Sequence, residues 1–156
     1  MAEVVQQASA EERPAAEAFV GSYPAVADGT AFVPIRKVGL AAVDAETGEG
    51  RWFAAADGTA GTSVPLPLTD GDVVYAGSGL ARYDGRSGAV VWELGGDLAD
   101  SPAYAPLSAD EDTVYAELTG FDATSPILER TDVVAADLRT GAVRWKHQLA
   151  SGAFGI

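Results

Sequence analysis

All three tryptophans of this 156-residue chain fall at one position of a repeated block, and that repetition limits the fold more than any other feature. The block runs from Leu40 to Trp52, again from Leu80 to Trp92, and a third time from Val133 to Trp145. In register, Asp44, Thr47, Gly48 and Trp52 align with Asp84, Ser87, Gly88 and Trp92, and with Asp137, Thr140, Gly141 and Trp145. A second column lies upstream of each copy, at Asp28-Gly29, Asp70-Gly71 and Asp110-Glu111, flanked by short runs rich in Val, Tyr and Thr. Asp-Gly between such runs signals a hairpin, because glycine accepts the positive φ of a tight turn. Each unit therefore reads strand, hairpin turn, strand, connection, strand, Thr-Gly turn, strand.

The tryptophans are spaced 40 and 53 residues apart. Four strands per roughly 40 residues is the period of a β-propeller blade. The expected fold is thus all-β, a partial propeller of three four-stranded antiparallel blades at about 19–54, 62–94 and 101–148. Residues 1–18, rich in Ala, Glu and Gln, read as a flexible or weakly helical lead-in, since Pro14 interrupts the helix that Ser9 and Glu12 would cap. Residues 151–156 read as the start of a further blade strand. The extra length of the third unit, 119–130, is expected as a loop whose Phe121, Ile127 and Leu128 form a candidate contact site. A closed single-chain ring needs about four to eight blades. With three, the first and third blades are expected to present open faces, suited to a protein partner or to self-association.

Charge narrows the partners. Ten Lys and Arg stand against 23 Asp and Glu, a formal net charge of -13. Phosphate contacts need cations, so nucleic acid and anionic membrane surfaces are not expected partners. No apolar run reaches the roughly 18 residues of a membrane-spanning helix. Without a basic leader or apolar h-region the chain reads as cytoplasmic as written, and as extracytoplasmic if it is a fragment of a longer protein.

Candidate chemistry is sparse. There is no cysteine. The acidic groups Asp70 and Asp72, Asp97 and Asp100, and Asp110-Glu111-Asp112 lack EF-hand spacing, and the first and third sit in the repeated hairpin turn. His147, the single histidine, has no orienting partner in any recognisable arrangement. Gly77-Ser78-Gly79 lies between strands and precedes no helix, which argues against a phosphate loop. No catalytic, cofactor-binding or metal-ligating residue is expected.

The pattern Ala-x-Asp-x-x-Thr-Gly-x-x-x-Trp is complete at 42–52 and 135–145, and the middle copy carries Arg82 and Ser87 instead of Ala and Thr. It resembles the tryptophan-docking motif of pyrroloquinoline-quinone-like, or quinoprotein-type, propellers over about residues 19–150. Physically, the Asp and Ser/Thr side chains can hydrogen-bond the turn backbone while the Trp wedges between neighbouring sheets. The resemblance implies a family of quinone-dependent dehydrogenases, an outer-membrane assembly lipoprotein and sensor domains of bacterial kinases. The dehydrogenases hold their quinone against a stacked Trp, often with a vicinal disulfide, beside calcium. Here cysteine is absent and every Trp belongs to the docking column. The expected function is therefore a non-enzymatic binding or scaffold segment, for protein interaction or ligand sensing. The alternatives are a fragment of a quinone-dependent dehydrogenase, with pyrroloquinoline quinone and calcium held only in a complete ring, and the sensor portion of a signalling kinase.

Overall fold

A computed structural model describes residues 22–36, 38–55, 63–77, 79–94, 103–122 and 125–151. The lead-in at 1–18, the acidic pair Asp97 and Asp100, and residues 152–156 lie outside the described residues. Ser151 closes a blade strand, so the described part of 151–156 belongs to the third blade itself.

The described chain is built of three four-stranded antiparallel sheets. The first holds β1 (Ala25–Ala27), β2 (Thr30–Ile35), β3 (Gly39–Asp44) and β4 (Gly50–Ala55). The second holds β5 (Leu66–Pro67), β6 (Val73–Ala76), β7 (Leu80–Tyr83) and β8 (Val90–Leu94). The third holds β9 (Ala103–Ala109), β10 (Thr113–Asp122), β11 (Ser125–Asp137) and β12 (Val143–Ser151). Each strand pairs with its neighbour in sequence, the meander of a propeller blade.

Local chemistry explains the turns. Asp28 and Gly29, at φ 48° and 73°, make the two-residue hairpin between β1 and β2, where consecutive left-handed residues match the strand twist. The second blade spends more residues on the same reversal, with Gly71 at φ 93° and the Leu68 amide donating to the Asp72 carbonyl at 2.8 Å. In the third, the Asp110 carboxylate receives the Asp112 and Thr113 amides, which lets Glu111 stand where the others have glycine.

The segment 119–130 is not a loop, as its length suggested, but an extension of the β10–β11 hairpin. Pairing runs on from Thr119↔Thr131 to Phe121↔Glu129 and ends at Asp122↔Ser125 after a register shift. Strand pairing satisfies backbone groups that a loop of this length would leave to water. Phe121 thus lies on β10, and Ile127 and Leu128 on β11.

Two apolar clusters form between blades. Phe32, Leu40, Ala42 and Ala54 of the first blade meet Val73, Tyr75, Ala81 and Tyr83 of the second. Val74, Ala76, Leu80 and Trp92 of the second meet Tyr104, Val114, Ala116, Leu118, Val134 and Ala136 of the third. Strand alternation does the sorting: odd positions of β6 face the first blade and even ones the third, while the even positions of β10 face the second blade. The far side of the first blade departs from expectation. Val33, Ile35, Ala41 and Val43 there are at most 5% exposed and cluster with Val38, so the first blade presents no bare sheet face. A contiguous aliphatic row of that kind is seldom left wet. The open face belongs to the third blade.

Candidate functional site: the blade joints and the open tryptophan

Each repeated block folds into one turn. In the first, the Asp44 carboxylate accepts the Glu46 and Thr47 amides at 3.0 and 2.9 Å, and the Gly48 amide donates to the Asp44 carbonyl at 2.9 Å. Asp84 and Asp137 do the same for Arg86 and Ser87 and for Arg139 and Thr140. Gly48, Gly88 and Gly141 close these turns at φ 75°, 74° and 73°, a conformation other residues adopt only with strain.

The turns hold the tryptophans of the neighbouring blade. Trp52 donates its indole N–H to the Gly85 carbonyl at 2.9 Å, and Trp92 donates to the Leu138 carbonyl at 2.8 Å. Both acceptors follow the turn aspartate directly. A Cβ on Gly88 would lie 2.6 Å from the Trp52 ring, and one on Gly141 2.7 Å from the Trp92 ring. Glycine is therefore required twice over, for its backbone conformation and for the flat approach of the indole. Tyr83 stacks on Trp52 at a centroid distance of 6.5 Å. The joint is one device used twice: a ring laid on the next blade's glycine, pinned by one hydrogen bond.

Trp145 has the ring without the socket. It is 48% exposed, against 7% for Trp92. Among the described residues its ring pairs with that of Tyr115 in its own blade, at 6.2 Å between centroids, while the Tyr115 hydroxyl donates to Asp110 at 3.0 Å. Register puts Tyr115, Ala135 and Trp145 in one row, and Glu117, Val133 and His147 in the next. The positions of Glu117 and His147 are filled in the first blade by Pro34 and Ala54, and in the second by Ala76 and Leu94. The open face therefore keeps its aromatic pair beside the turn and turns polar farther along the strands.

An arginine clamp braces each blade, and it went unread in the sequence. Arg51 donates to Thr30 and Asp44 at 2.5 and 2.6 Å. Arg144 donates to Thr113, Asp112 and Asp137 at 2.7, 3.0 and 2.9 Å. Both precede their tryptophan by one residue, where the second blade has Val91. There the cation has moved. Buried Arg82 donates to Asp72 at 2.9 Å, to Asp70 at 2.5 Å and across the joint to the Leu138 carbonyl at 2.8 Å. The departure of the middle copy from Ala is thus one half of an exchange whose other half is Val91. The signal lay in the Arg-Trp pairs at 51–52 and 144–145, broken at 91–92.

These contacts also give partners to the acidic residues Asp70, Asp72 and Asp112 of the hairpin turns. Asp70 and Asp72 serve Arg82, and Asp112 serves Arg144. Arg51 and the turn amides hold Asp44 down to a pKa of about 2, led by the Thr47 amide, and Arg144 leads in doing the same for Asp137. The turn amides and hydroxyl of Ser87 and the amide of Arg86 lower Asp84 as well. A carboxylate held below its ordinary 3.8 stabilises the fold above that value, and the contribution is lost as pH falls towards 2. The melting temperature should be level from neutral pH to about 5 and drop between about 4 and 2, and Asp137→Asn should shrink that drop. A drop of unchanged size in Asp137→Asn would show that this turn carries none of the linkage.

Of the remaining sequence candidates, His147 sits exposed on β12, paired in register with Val133. Gly77 and Gly79 form a strand connection, with the Gly77 amide donating to the Gly79 carbonyl at 2.9 Å. Among the described residues no group of three or more His, Asp or Glu could hold a metal ion. No described helix is long and apolar enough to cross a membrane. A stacked quinone needs a free indole platform, and the joints occupy Trp52 and Trp92 while Trp145 lies on an outermost strand. The described residues do not fit a quinone with its metal.

A family model described as outer membrane protein assembly factor BamB, PQQ_2, matches residues 3–155. The chain belongs to this BamB-like PQQ-repeat family. No curated protein matches it. Solved structures share the fold. Quinohemoprotein alcohol dehydrogenase from Comamonas testosteroni aligns at 21% identity and a TM-score of 0.67, over 85% of this chain and 22% of that one. The quinohemoprotein alcohol dehydrogenase ADHIIG from Pseudomonas putida HK5 gives 19% and 0.64, over 85% and 21%. A europium-containing methanol dehydrogenase gives 18% and 0.59, over 85% and 26%. The chain spans about a quarter or less of these proteins, and the likeness is one of fold: PQQ-type propeller blades in partial array.

Proposed function

We propose that this BamB-like PQQ-repeat chain is a non-enzymatic scaffold segment that binds protein through the open face of its third blade. The observation that carries the reading is Trp145, half exposed beside Tyr115 and bordered by Glu117 and His147. Protein interfaces favour this composition, with a large aromatic anchor at the centre and a polar rim around it. The family supports the same reading, since its description is that of an assembly factor. The other polar side chains of the joints are spent within the fold, on turns and clamps.

A photo-crosslinking residue placed at exposed Leu149 of β12, in the cells that make the protein, tests the proposal. A discrete adduct is expected from that position and none from Glu93 of β8. Equal labelling from both positions, or none from either, would overturn the reading.

A further inference from the structure

The two ends of the blade array carry the two halves of the joint seen twice inside it. At one end, the Trp145 indole N–H meets no acceptor among the described residues, and its ring lies half in solvent. At the other end, among the described residues, nothing lies within 4 Å of where a Cβ on Gly48 would be, whereas Gly88 and Gly141 each have an indole there. The acceptor equivalent to the Gly85 and Leu138 carbonyls is that of Ala45. Its amide donates to Gly29 at 2.9 Å, but its carbonyl receives no bond among the described residues. The turn is already set, with Gly48 at φ 75° and the Asp44 carboxylate holding the Glu46 and Thr47 amides.

The geometry points to a head-to-tail contact between two copies of this chain, in which Trp145 of one lies on Gly48 of the other and donates to its Ala45 carbonyl. This rests on the binding reading above and names the partner as a second copy. The contact reuses the pairing of ring, glycine and carbonyl that the chain builds twice between its own blades. It is confined to the turn end of the blades. The first blade's sheet face is buried around Val33 and Val43, and the third blade's face turns polar at Glu117 and His147, so the contact draws on no apolar sheet face on either side. Such a contact is heterologous; it closes if the rotation allows and otherwise extends as a ladder of copies.

The contact is small and therefore weak, in the class of interfaces below about 1,200 Å². Sedimentation velocity of the purified chain from about 10 to about 500 μM is the direct test. The weight-average sedimentation coefficient should rise with concentration. Trp145→Ala should abolish the rise while leaving the circular dichroism spectrum and melting temperature of the dilute protein unchanged. Gly48→Ala, which places a methyl where the indole must lie, should also abolish it, and Glu93→Gln should not. A monomer at every concentration, or association that survives Trp145→Ala, would overturn the contact. A monomer that still gives a discrete Leu149 adduct in cells would leave the binding reading standing and remove only the second copy as its partner.

Discussion

Replacing Trp92 by alanine is expected to cost the fold about 3–5 kcal/mol, the usual range for emptying a buried tryptophan site. Trp92 is 7% exposed and belongs to the cluster that joins the second and third blades. The substitution opens a cavity against Gly141, a residue already reduced to hydrogen so that the ring could approach. It also removes one of two donors to the Leu138 carbonyl, leaving Arg82 as the other. Trp52→Ala should cost less, because that ring is only partly buried. Trp145→Ala in dilute solution should stay within about 0.5 kcal/mol, as for an ordinary surface substitution. Urea denaturation of the three variants reads the order Trp92, Trp52, Trp145. Equal losses at all three would mean that the rings act within their own blades and not between them.

The second large effect is expected at Arg82. Its side chain is 10% exposed and bridges Asp70, Asp72 and the third blade's Leu138 carbonyl. Arg82→Ala strands the half-buried Asp72 and cuts a cross-joint bond, which should cost about 2–3 kcal/mol at the charged-hydrogen-bond scale. Arg51 and Arg144 form their ion pairs with 40% and 37% of their side chains exposed. Alanine at either should cost less than Arg82→Ala, because solvent and salt screen such pairs. Restoring the first-blade arrangement offers a sharper check. Asp72→Thr and Val91→Arg added to Arg82→Ala place the clamp as in the other two blades, and should recover much of the loss. No recovery would mean that the bond to Leu138, and not the clamp within the blade, is what Arg82 contributes.

The blade count and the strand order could be read because each joint depends on a few side chains at fixed offsets, and those offsets survive in the sequence. Asp44, Thr47, Gly48 and Trp52 recur in register for a physical reason: the turn positions the glycine, and the glycine admits the next ring. What could not be read depends on pairing across strands. Arg82 stands ten residues from Asp72 and meets it only when β6 and β7 lie side by side. Its exchange with Val91 looks in sequence like two unrelated departures. The 119–130 segment contains both strand formers and turn formers, so its length alone suggested a loop, and register with β11 decided otherwise. The burial of Val33 and Val43 was likewise invisible, since alternation predicts which side a residue faces and not whether that side is covered.

Indole N–H groups bind the blades in sequence, each to the next turn, and among the described residues the third finds no acceptor. Hydrogen exchange of the three indole N–H resonances, followed by NMR in dilute solution, tests this most directly. Two signals, assigned to Trp52 and Trp92 by substitution, should be protected through opening of the joints, and that of Trp145 should exchange at nearly the rate of a free indole. Rapid exchange at Trp92, or protection of Trp145 equal to that of Trp92 in a monomer, would contradict it.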